Sequence, residues 1–395
     1  MRVLIVTKIF PNAAEPLSAP FNRQQFAALA ERCRIVDVLA TIPWYPGAGL
    51  LARWSSAGRL AAVPERETID GLPVRHPRTL FVPRAGHGSW GPLYVASLAP
   101  LVPRYRGKID VVLASWAYPD GFAGVVLARM LGAPAVVKLH GSDINHNARL
   151  PGPRRQLAWA LPRAAKVVAV SRALADEVAA LGVARERISL VMNGVDGELF
   201  RPRDRAEARA ELGLPARGPI ALYVGNLKET KGVLDLAAAW ERLAPTVPDG
   251  HLVVIGGGDQ KARLDELAGR LPRMAVLGPR PLAEAARYMA ACDVLSLPSW
   301  AEGTPNVVLE ALASGRRVVA TAVGGIPDLV RDATLGELVP PRDPATLAQA
   351  LGRALAHSYD PDEVARRGAR GGWKTSAAQL AGVLAEAAGL GAAGL

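Results

Sequence analysis

The first half of the chain alternates short apolar runs with stretches of helical periodicity. The apolar runs are RVLIVT, RIVDVLA, IDVVLAS, PAVVKLH, AKVVAV and RISLVM, and a helix is predicted from about Arg23 to Arg32. Near-continuous Val, Ile and Leu runs separated by helices are typical of a parallel sheet covered on both faces. The pattern therefore predicts a doubly wound α/β domain.

The second half repeats this pattern with the runs PIALYVG, HLVVIGG, MAVLG, DVLSLPS and RRVVAT. The passage NGVDGELFRPRD between the halves has the Gly, Asp and Pro content of a linker. A chain of 395 residues is too long for a domain with a single hydrophobic core of ordinary size. We therefore predict two Rossmann-like domains, residues 1–197 and 198–373. A final helix, from about Ser376 to Ala388, follows Trp373, and its composition leaves open which domain it packs on.

The composition is that of a globular protein, with 50% hydrophobic and 21% charged residues, so disorder is not expected. Nothing near the two cysteines, Cys33 and Cys292, indicates a disulfide framework or a metal site. The first apolar run is too short for a signal peptide, and no run is long enough for a spanning helix. A cytoplasmic location fits these features.

The net charge of +11 resides in the first half. Residues 1–196 contain 24 Lys and Arg against 13 Asp and Glu, whereas residues 197–395 contain 23 of each. This asymmetry indicates an anionic partner, namely a membrane surface, a phosphorylated substrate or nucleic acid, unless it is only an arginine-rich surface. No basic motif with interleaved aromatic residues supports nucleic acid.

Two stretches carry much of this basic excess. Residues 144–175 have six basic residues and no acid around Trp159, and they resemble an interfacial amphipathic helix, although a solvated basic face explains them nearly as well. Residues 50–108 have nine basic and three acidic residues, and include Trp54, Trp90 and Tyr94. We hypothesise that the N-terminal domain sits on the inner membrane leaflet.

The strongest motif is PSWAEGTPNVVLEALASG, residues 298–315, directly after the strand DVLSL. Thr304 is predicted to cap a helix whose first residue is Pro305 and which ends at Gly315. A helix start at the carboxyl edge of a parallel sheet favours phosphate. Glu302 and Glu310 in this motif are suited to bind sugar hydroxyls, although two solvated surface glutamates fit the spacing equally well.

Two further segments carry candidate chemistry. In VGNLKETKG, residues 224–232, Lys231 precedes a helix and can neutralise a diphosphate, or it is merely exposed. In VVKLHGSD, His140 ends a strand and can bind a substrate sugar or move a proton, or it is structural. The GGGD turn at 256–259 lacks the spacing of a dinucleotide fingerprint.

Together these segments resemble the GT-B glycosyltransferases of family 4. The matching segments are HGSD at 140–143, AVSRALADEV at 169–178, NGVD at 193–196, GNLKETKG at 225–232 and EGTPNVVLE at 302–310. The resemblance implies an α/β GT-B fold, in which two Rossmann-like domains face a central cleft and a helix at about 374–395 crosses back to the first domain. It also implies retaining hexosyl transfer from a nucleotide-diphospho-sugar, with no metal or other cofactor. With this activity, the basic N-terminal half leads to the hypothesis that the acceptor is a polyprenyl-diphosphate-linked glycan.

The resemblance also assigns residue roles. The catalytic positions are His140, Lys231 and Glu302. The donor-binding positions are Gly225, Asn226, Arg280, Gly303, Thr304, Pro305, Asn306, Val307 and Glu310. Gly141 and Asp143 lie on the acceptor side. Many members have Arg in place of Asn226, and many have glycines in the first loop, where KIFPNAAEPLSAPFNRQQ has none.

The implied mechanism is substitution on one face of the sugar, in which Lys231 and the helix start near Pro305 stabilise the leaving nucleotide diphosphate. The segment SWAYPDGFAG resembles the subset of family 4 associated with teichuronic-acid and exopolysaccharide assembly. A sugar epimerase, a phosphorylase or a non-catalytic anion-binding protein on the same fold remains an alternative.

Overall fold

The structure is a computed structural model, and it describes residues 1–45, 47, 56–81 and 86–391. Trp54 lies outside the described residues. The chain forms two compact units, the first from residues 1–193 and 373–395 and the second from residues 194–372. The boundary predicted from the sequence lies slightly further along the chain.

The first unit contains a large sheet with helices on both faces. Its strands are β1 (Arg2–Thr7), β2 (Arg34–Ala40), β3 (Ile42–Trp44), β4 (Arg66–Ile69), β5 (Leu72–Arg75), β6 (Arg78–Leu80), β7 (Val111–Ser115), β8 (Ala135–Lys138), β9 (Lys166–Ala169) and β10 (Ile188–Leu190). Its α-helices before the second unit are α1 (Pro20–Ala30), α2 (Ser56–Leu60), α3 (Trp90–Leu98), α4 (Val102–Tyr105), α5 (Phe122–Leu131), α6 (Ser142–Asn147), α7 (Pro151–Ala160) and α8 (Arg172–Ala180).

Within the described residues, eight of these strands form one sheet in the order β10-β9-β8-β7-β1-β2-β5-β4, and β3 pairs with β6. The neighbouring strands are parallel except β4 and β5, which are antiparallel. The parallel sheet predicted for this half is therefore confirmed, with one antiparallel pair at its edge. The signal was present in the sequence, because Asp70 and Gly71, with φ of 50° and 78°, form the two-residue Asp-Gly turn that is typical of a hairpin.

The second unit is a six-stranded parallel sheet within the described residues. Its strands are β11 (Ile220–Val224), β12 (His251–Ile255), β13 (Met274–Val276), β14 (Val294–Leu297), β15 (Arg317–Thr321) and β16 (Gly336–Val339). Its α-helices are α9 (Arg205–Glu211), α10 (Val233–Leu243), α11 (Lys261–Ala268), α12 (Leu282–Ala291), α13 (Asn306–Ala313), α14 (Ile326–Leu329), α15 (Pro344–Ala356) and α16 (Pro361–Gly368). The strand order is β13-β12-β11-β14-β15-β16, so the order reverses between β11 and β14.

The last helix, α17 (Trp373–Ala387), belongs to the first unit and packs against α1. The side chain of Gln25 in α1 donates to the hydroxyl of Ser376 at 2.8 Å, and that hydroxyl donates to the carbonyl of Met192 at 2.7 Å. The helix begins at Trp373, a little before the start predicted from the sequence. Its return therefore adds a helix to one face of the first sheet.

The continuous apolar runs are strands buried on both faces, as their composition predicts. Val3 and Ile5 of β1 belong to the cluster that contains the buried residues of α1 and α17. Leu4 and Val6 point the other way, into the cluster formed with α3, α5 and α7. All four side chains are completely buried. No helix of the described residues is long and apolar enough to cross a membrane.

Candidate functional site

Two loops of the second unit lie at the point where its strand order reverses. One loop, residues 225–232, follows β11, and the other, residues 298–305, follows β14. The two strands pair directly, with Ala221 opposite Val294, so both loops leave the carboxyl edge of the sheet side by side. Open parallel sheets bind ligands in this position. Lys231 and Glu302, which were predicted separately, are carried by these two loops.

The two loops are held tightly together. Gly232 has φ of 65°, and a Cβ atom there would lie only 2.0 Å from the carbonyl oxygen of Pro298. The backbone N–H of Trp300 donates to the carbonyl of Thr230 at 2.9 Å. The indole N–H of Trp300 also donates to Asp235 in α10 at 2.7 Å. These contacts fix the spacing between the loops.

Lys231 and Glu302 form an ion pair across the loops. The Nζ atom of Lys231 lies 2.7 Å from Oε1 of Glu302, and the hydroxyl of Ser299 donates to the same oxygen at 2.6 Å. The Glu302 side chain is only 8% exposed, so the alternative of a solvated surface glutamate does not hold for it. Ser299 was not singled out from the sequence, although it lies three residues before Glu302, within reach in a tight loop.

The helix after this loop begins one residue later than predicted. Pro305 is the N-cap residue, with φ of −73° and ψ of 116°, and no side chain caps the helix. The prediction that Thr304 caps the helix is therefore wrong, because the extended conformation that ends the loop falls on Pro305. Gly303, Thr304 and Pro305 are buried, whereas Asn306 and Val307 in the first turn are partly exposed. The first amide groups of a helix lack intrahelical partners and favour an anion.

Glu310 lies in the same helix, and the residue as a whole is partly exposed. Burial alone raises the pKa of its carboxyl to about 7. Among the described residues, no hydrogen bond or ion pair engages this carboxyl. A weakly solvated carboxyl in this position is suited to accept hydrogen bonds from a bound polyol.

The remaining predicted donor positions divide between two places. Gly225 and Asn226 lie in the loop of Lys231, where the Gly225 N–H donates to the carbonyl of Ile255 at 3.0 Å and the Asn226 side chain is exposed. Arg280 follows β13, the edge strand, and its Nε lies 2.9 Å from Oε1 of Glu284. The first two positions are therefore beside Lys231, and Arg280 lies two strands away from β11.

In the first unit, His140 follows β8 and its ring is enclosed by aromatic residues. The Trp116 ring stacks on it, with centroids 5.6 Å apart, and the Phe21 ring lies 4.9 Å away. The Nε2 atom of His140 is 2.9 Å from the hydroxyl oxygen of Ser115. Burial and the nearby charge of Lys138 hold the pKa of His140 well below its usual range. His140 is therefore neutral at physiological pH and suited to hydrogen bonding.

Asp143 is completely buried, so it does not reach an acceptor directly. Its carboxylate accepts backbone hydrogen bonds from Ala117 at 2.7 Å, from His140 at 3.1 Å and from Gly141 at 2.7 Å. Gly141 is also buried and has φ of 108°. These two residues predicted on the acceptor side shape the loops after β7 and β8, and thereby position His140.

The basic segment 144–175 is not one amphipathic helix, and that expectation is corrected. It contains the end of α6, all of α7, strand β9 and the start of α8. The apolar residues Leu157 and Ala160 of α7 are in the core. Trp159 is covered by the guanidinium groups of Arg129 and Arg163, 5.2 Å and 5.0 Å from its ring centroid. The apolar side of α7 is thus occupied by the protein itself.

Metal ligands do not cluster in the described part of the chain. Among residues 1–45, 47, 56–81 and 86–391, no three His, Cys, Asp or Glu residues are grouped so as to hold a metal ion. Cys33 and Cys292 are buried free thiols. Independence from a metal stays a prediction.

Solved structures with the same architecture identify the fold class. A sucrose-phosphate synthase from Thermosynechococcus elongatus has a TM-score of 0.74 and 24% identity, and the match covers 98% of this chain and 96% of that one. HepE of Anabaena in complex with UDP has a TM-score of 0.71 and 22% identity, with 98% and 100% covered. At these identities the likeness concerns the fold alone. The protein has the GT-B fold of two Rossmann-like domains.

Sequence relatives then identify the family. Residues 57–199 match the family described as Glycosyltransferase Family 4, and residues 218–357 match Glycosyl transferases group 1. The putative teichuronic acid biosynthesis glycosyltransferase TuaC of Bacillus subtilis (strain 168) is 30% identical over 365 residues, 89% of each chain. D-inositol 3-phosphate glycosyltransferase 1 of Catenulispora acidiphila is 37% identical over 314 residues, 74% of each chain. The chain belongs to glycosyltransferase family 4, which confirms the resemblance and makes the protein a glycosyltransferase.

Proposed function

We propose that the protein transfers a sugar, with retention and without a metal, from a nucleotide-diphospho-sugar to a glycan or lipid-linked glycan in bacterial surface or exported polysaccharide synthesis. The observation that carries this proposal is the Lys231–Glu302 pair, set at the strand-order reversal beside the start of α13. Structures of HepE in complex with UDP and with UDP-glucose support a nucleotide-sugar donor. The name of TuaC supports a polysaccharide product.

The proposed roles follow from charge and position. Lys231 and the amide groups at the start of α13 stabilise the negative charge of the departing diphosphate. The neighbouring carboxylate of Glu302 holds Lys231 in place and accepts hydrogen bonds from the transferred sugar. Glu310 accepts hydrogen bonds from the ribose. Neutral His140 binds a sugar hydroxyl, so these side chains position the substrates rather than attack them.

A thermal-shift series tests the donor assignment. Full-length protein is heated with UDP-, GDP-, ADP-, CMP- and dTDP-linked sugars, because a ligand that binds only the folded state raises the melting temperature. We expect one nucleotide to give the largest shift, and Lys231→Ala to abolish it. Lys228→Ala, which removes an exposed lysine of the same loop, is the matched control and should keep the shift. A full shift and full transfer in Lys231→Ala would refute the assignment.

Two further measurements test the chemistry. Proton NMR of the first product formed reports the anomeric configuration, and retention predicts the configuration of the donor. Activity after treatment with EDTA tests metal independence. Inversion, or a loss of activity that Mg²⁺ or Mn²⁺ restores, would contradict the corresponding part of the proposal.

We also propose that the protein works at the cytoplasmic side of a membrane that carries its acceptor. Arg149, Arg154 and Arg155 are exposed in the basic segment of the first unit. Since the apolar side of α7 is packed in the core, attraction to anionic lipid through these residues is electrostatic and peripheral.

A further inference from the structure

Three side chains form a layered stack at the carboxyl edge of the first sheet. Lys8 follows β1, Trp116 follows β7 and His140 follows β8. The Nζ atom of Lys8 lies 5.4 Å from the centroid of the Trp116 ring. The Trp116 and His140 rings are 5.6 Å apart and inclined by 26°. A cation, an indole and a neutral imidazole therefore meet at the sheet edge where α/β proteins bind ligands.

Trp116 is held in a backbone conformation that side chains rarely adopt, with φ of 146° and ψ of 138°. Its N–H donates to the carbonyl of Lys138 at 3.0 Å, and the next N–H, of Ala117, donates to Asp143 at 2.7 Å. The surroundings thus impose the conformation. Strained residues of this kind cluster at ligand sites, where the strain presents a side chain. The Trp116 ring is partly exposed.

The indole N–H of Trp116 is buried and has no hydrogen-bond partner among the described residues. Buried donors are normally paired, so an unpaired one in a native fold requires an explanation. Neither the stacking on His140 nor the contact with Lys8 gives the indole N–H of Trp116 a hydrogen-bond acceptor. The unpaired indole N–H indicates that the stack of Lys8, Trp116 and His140 has a role beyond packing.

Lys8 is exposed and forms no ion pair with the described residues. Lys8 also lines a cavity of about 40 Å³, whose other walls are both polar, such as Asn12 and Thr41, and apolar, such as Phe10 and Ile42. Burial raises the pKa of the Asp120 carboxyl to about 7, and the charge of Lys8 lowers it. The ammonium of Lys8 therefore lies near one buried carboxyl, beside the Trp116 ring and at the wall of this cavity.

We propose that Lys8 and Trp116 form a subsite for an acceptor sugar that carries a phosphate or carboxylate group. The sugar ring packs against the exposed part of the Trp116 side chain, since His140 and Lys8 lie over the faces of its ring. The anionic group lies against the Lys8 ammonium, where a charge-assisted contact forms. A neutral sugar makes only the first of these contacts. This inference rests on the proposed function, since it names the acceptor class of the same enzyme.

Binding of three probe sugars to the full-length protein tests the subsite. Glucose, glucuronate and glucose 6-phosphate share one ring type and differ in charge, and calorimetry or saturation-transfer NMR measures their affinities. We expect at least one charged probe to bind about tenfold more tightly than glucose. The preference should shrink as NaCl rises from about 0.05 M to about 0.5 M. The two charged probes distinguish phosphate from carboxylate recognition.

Variants separate the two contacts. Lys8→Met should abolish the preference for charge and leave the affinity for glucose unchanged. Trp116→Ala should lower the affinity for all three probes by a similar factor. Trp116→Phe, which keeps an aromatic ring, should lower these affinities less. Lys108→Met is the matched control, because Lys108 is exposed just before β7, at the opposite edge of the sheet. It should behave like the wild type.

UDP binding, measured in the same samples, separates this inference from the proposed function. Lys8 and Trp116 belong to the first unit and the candidate donor site to the second, so the variants should bind UDP as the wild type does if UDP is the donor nucleotide. Equal binding of the three probes by the wild type would overturn the subsite. So would a charge preference that survives Lys8→Met or is lost equally in Lys108→Met. A wild type that binds none of the nucleotide sugars would contradict the proposed function instead.

Discussion

The ammonium group of Lys231 lies 2.7 Å from the carboxylate of Glu302, and each belongs to a different loop. The carboxylate is almost buried, whereas the lysine side chain is 27% exposed. The pair therefore keeps a cation in place at the proposed diphosphate site before any donor binds. Because either charge alone would be poorly solvated, the two residues should act as one unit.

A double-mutant cycle tests this coupling. Lys231→Met leaves the Glu302 carboxylate without its cation and should lower the free energy of unfolding by about 1–3 kcal/mol, less than for a fully buried pair. Adding Glu302→Gln should restore most of that loss but not nucleotide binding. Urea unfolding and calorimetry provide the two readouts. Additive losses of stability would show that the residues are independent.

The pH dependence of stability tests the environment of Glu310. Its pKa is raised from 4.5 to about 7 in the fold, so the folded state binds the proton more tightly than the unfolded state. The stabilisation is full below pH 4.5 and is lost as the pH rises through about 7. Glu310→Gln should flatten this part of the profile of unfolding free energy against pH. An unchanged slope would contradict the burial of this carboxyl.

Donor binding should also depend on the ionisation of Glu310. The ionised carboxylate accepts hydrogen bonds from ribose hydroxyls better than the neutral acid does. We expect the affinity for the nucleotide to rise as the pH rises towards about 7, with release of a proton on binding, and to level off above that pH. Calorimetry in buffers of different ionisation enthalpy measures that release, and Glu310→Gln should bind weakly without it. Equal proton release in the variant would assign the effect to another group.

Lys138 should change the free energy of unfolding with pH in the opposite direction to Glu310. It is completely buried, it donates to Gln25 and Asn193, and burial lowers its pKa from 10.5 to about 7. The unfolded state therefore binds the proton more tightly, and stability falls as the pH drops from 10.5 to about 7. Lys138→Met should remove this slope and leave stability at pH 7 equal or higher. Lys108→Met, at an exposed site, should keep the slope.

Liposome sedimentation tests the proposed membrane surface. The protein should bind vesicles with phosphatidylglycerol but not those of phosphatidylcholine alone, and high salt should release it because the attraction is electrostatic. The triple variant Arg149→Glu, Arg154→Glu, Arg155→Glu should stay in the supernatant. Binding that resists salt would instead require an apolar contact, which the packing of α7 does not offer.

The strands were predictable from sequence because they depend on local patterns, whereas the donor-binding roles stay a prediction. Runs such as RVLIVT are buried on both faces, and the motif around Glu302 has its own spacing. The contact between Lys231 and Glu302 was not predictable in this way. It depends on the close approach of two loops at Gly232 and Pro298, which the chain separates by many residues.

Two residues have structural roles that the sequence conceals. Asp143, in the HGSD segment, was assigned to the acceptor side, which stays a prediction, and its carboxylate accepts hydrogen bonds from backbone N–H groups of two loops. Thr304 has the chemistry of a helix cap, but the extended residue before α13 is Pro305. In both cases the backbone path around the residue, rather than its side-chain type, decides its role.

The return of α17 to α1 makes the first unit discontinuous along the chain. During synthesis, residues 1–193 leave the ribosome long before the helix that covers one face of their sheet. The first unit to be made is therefore the last to be completed, and the second unit is inserted into it. A stop codon just before Trp373 would leave the residues of the proposed donor site in place and expose apolar surface on the first unit.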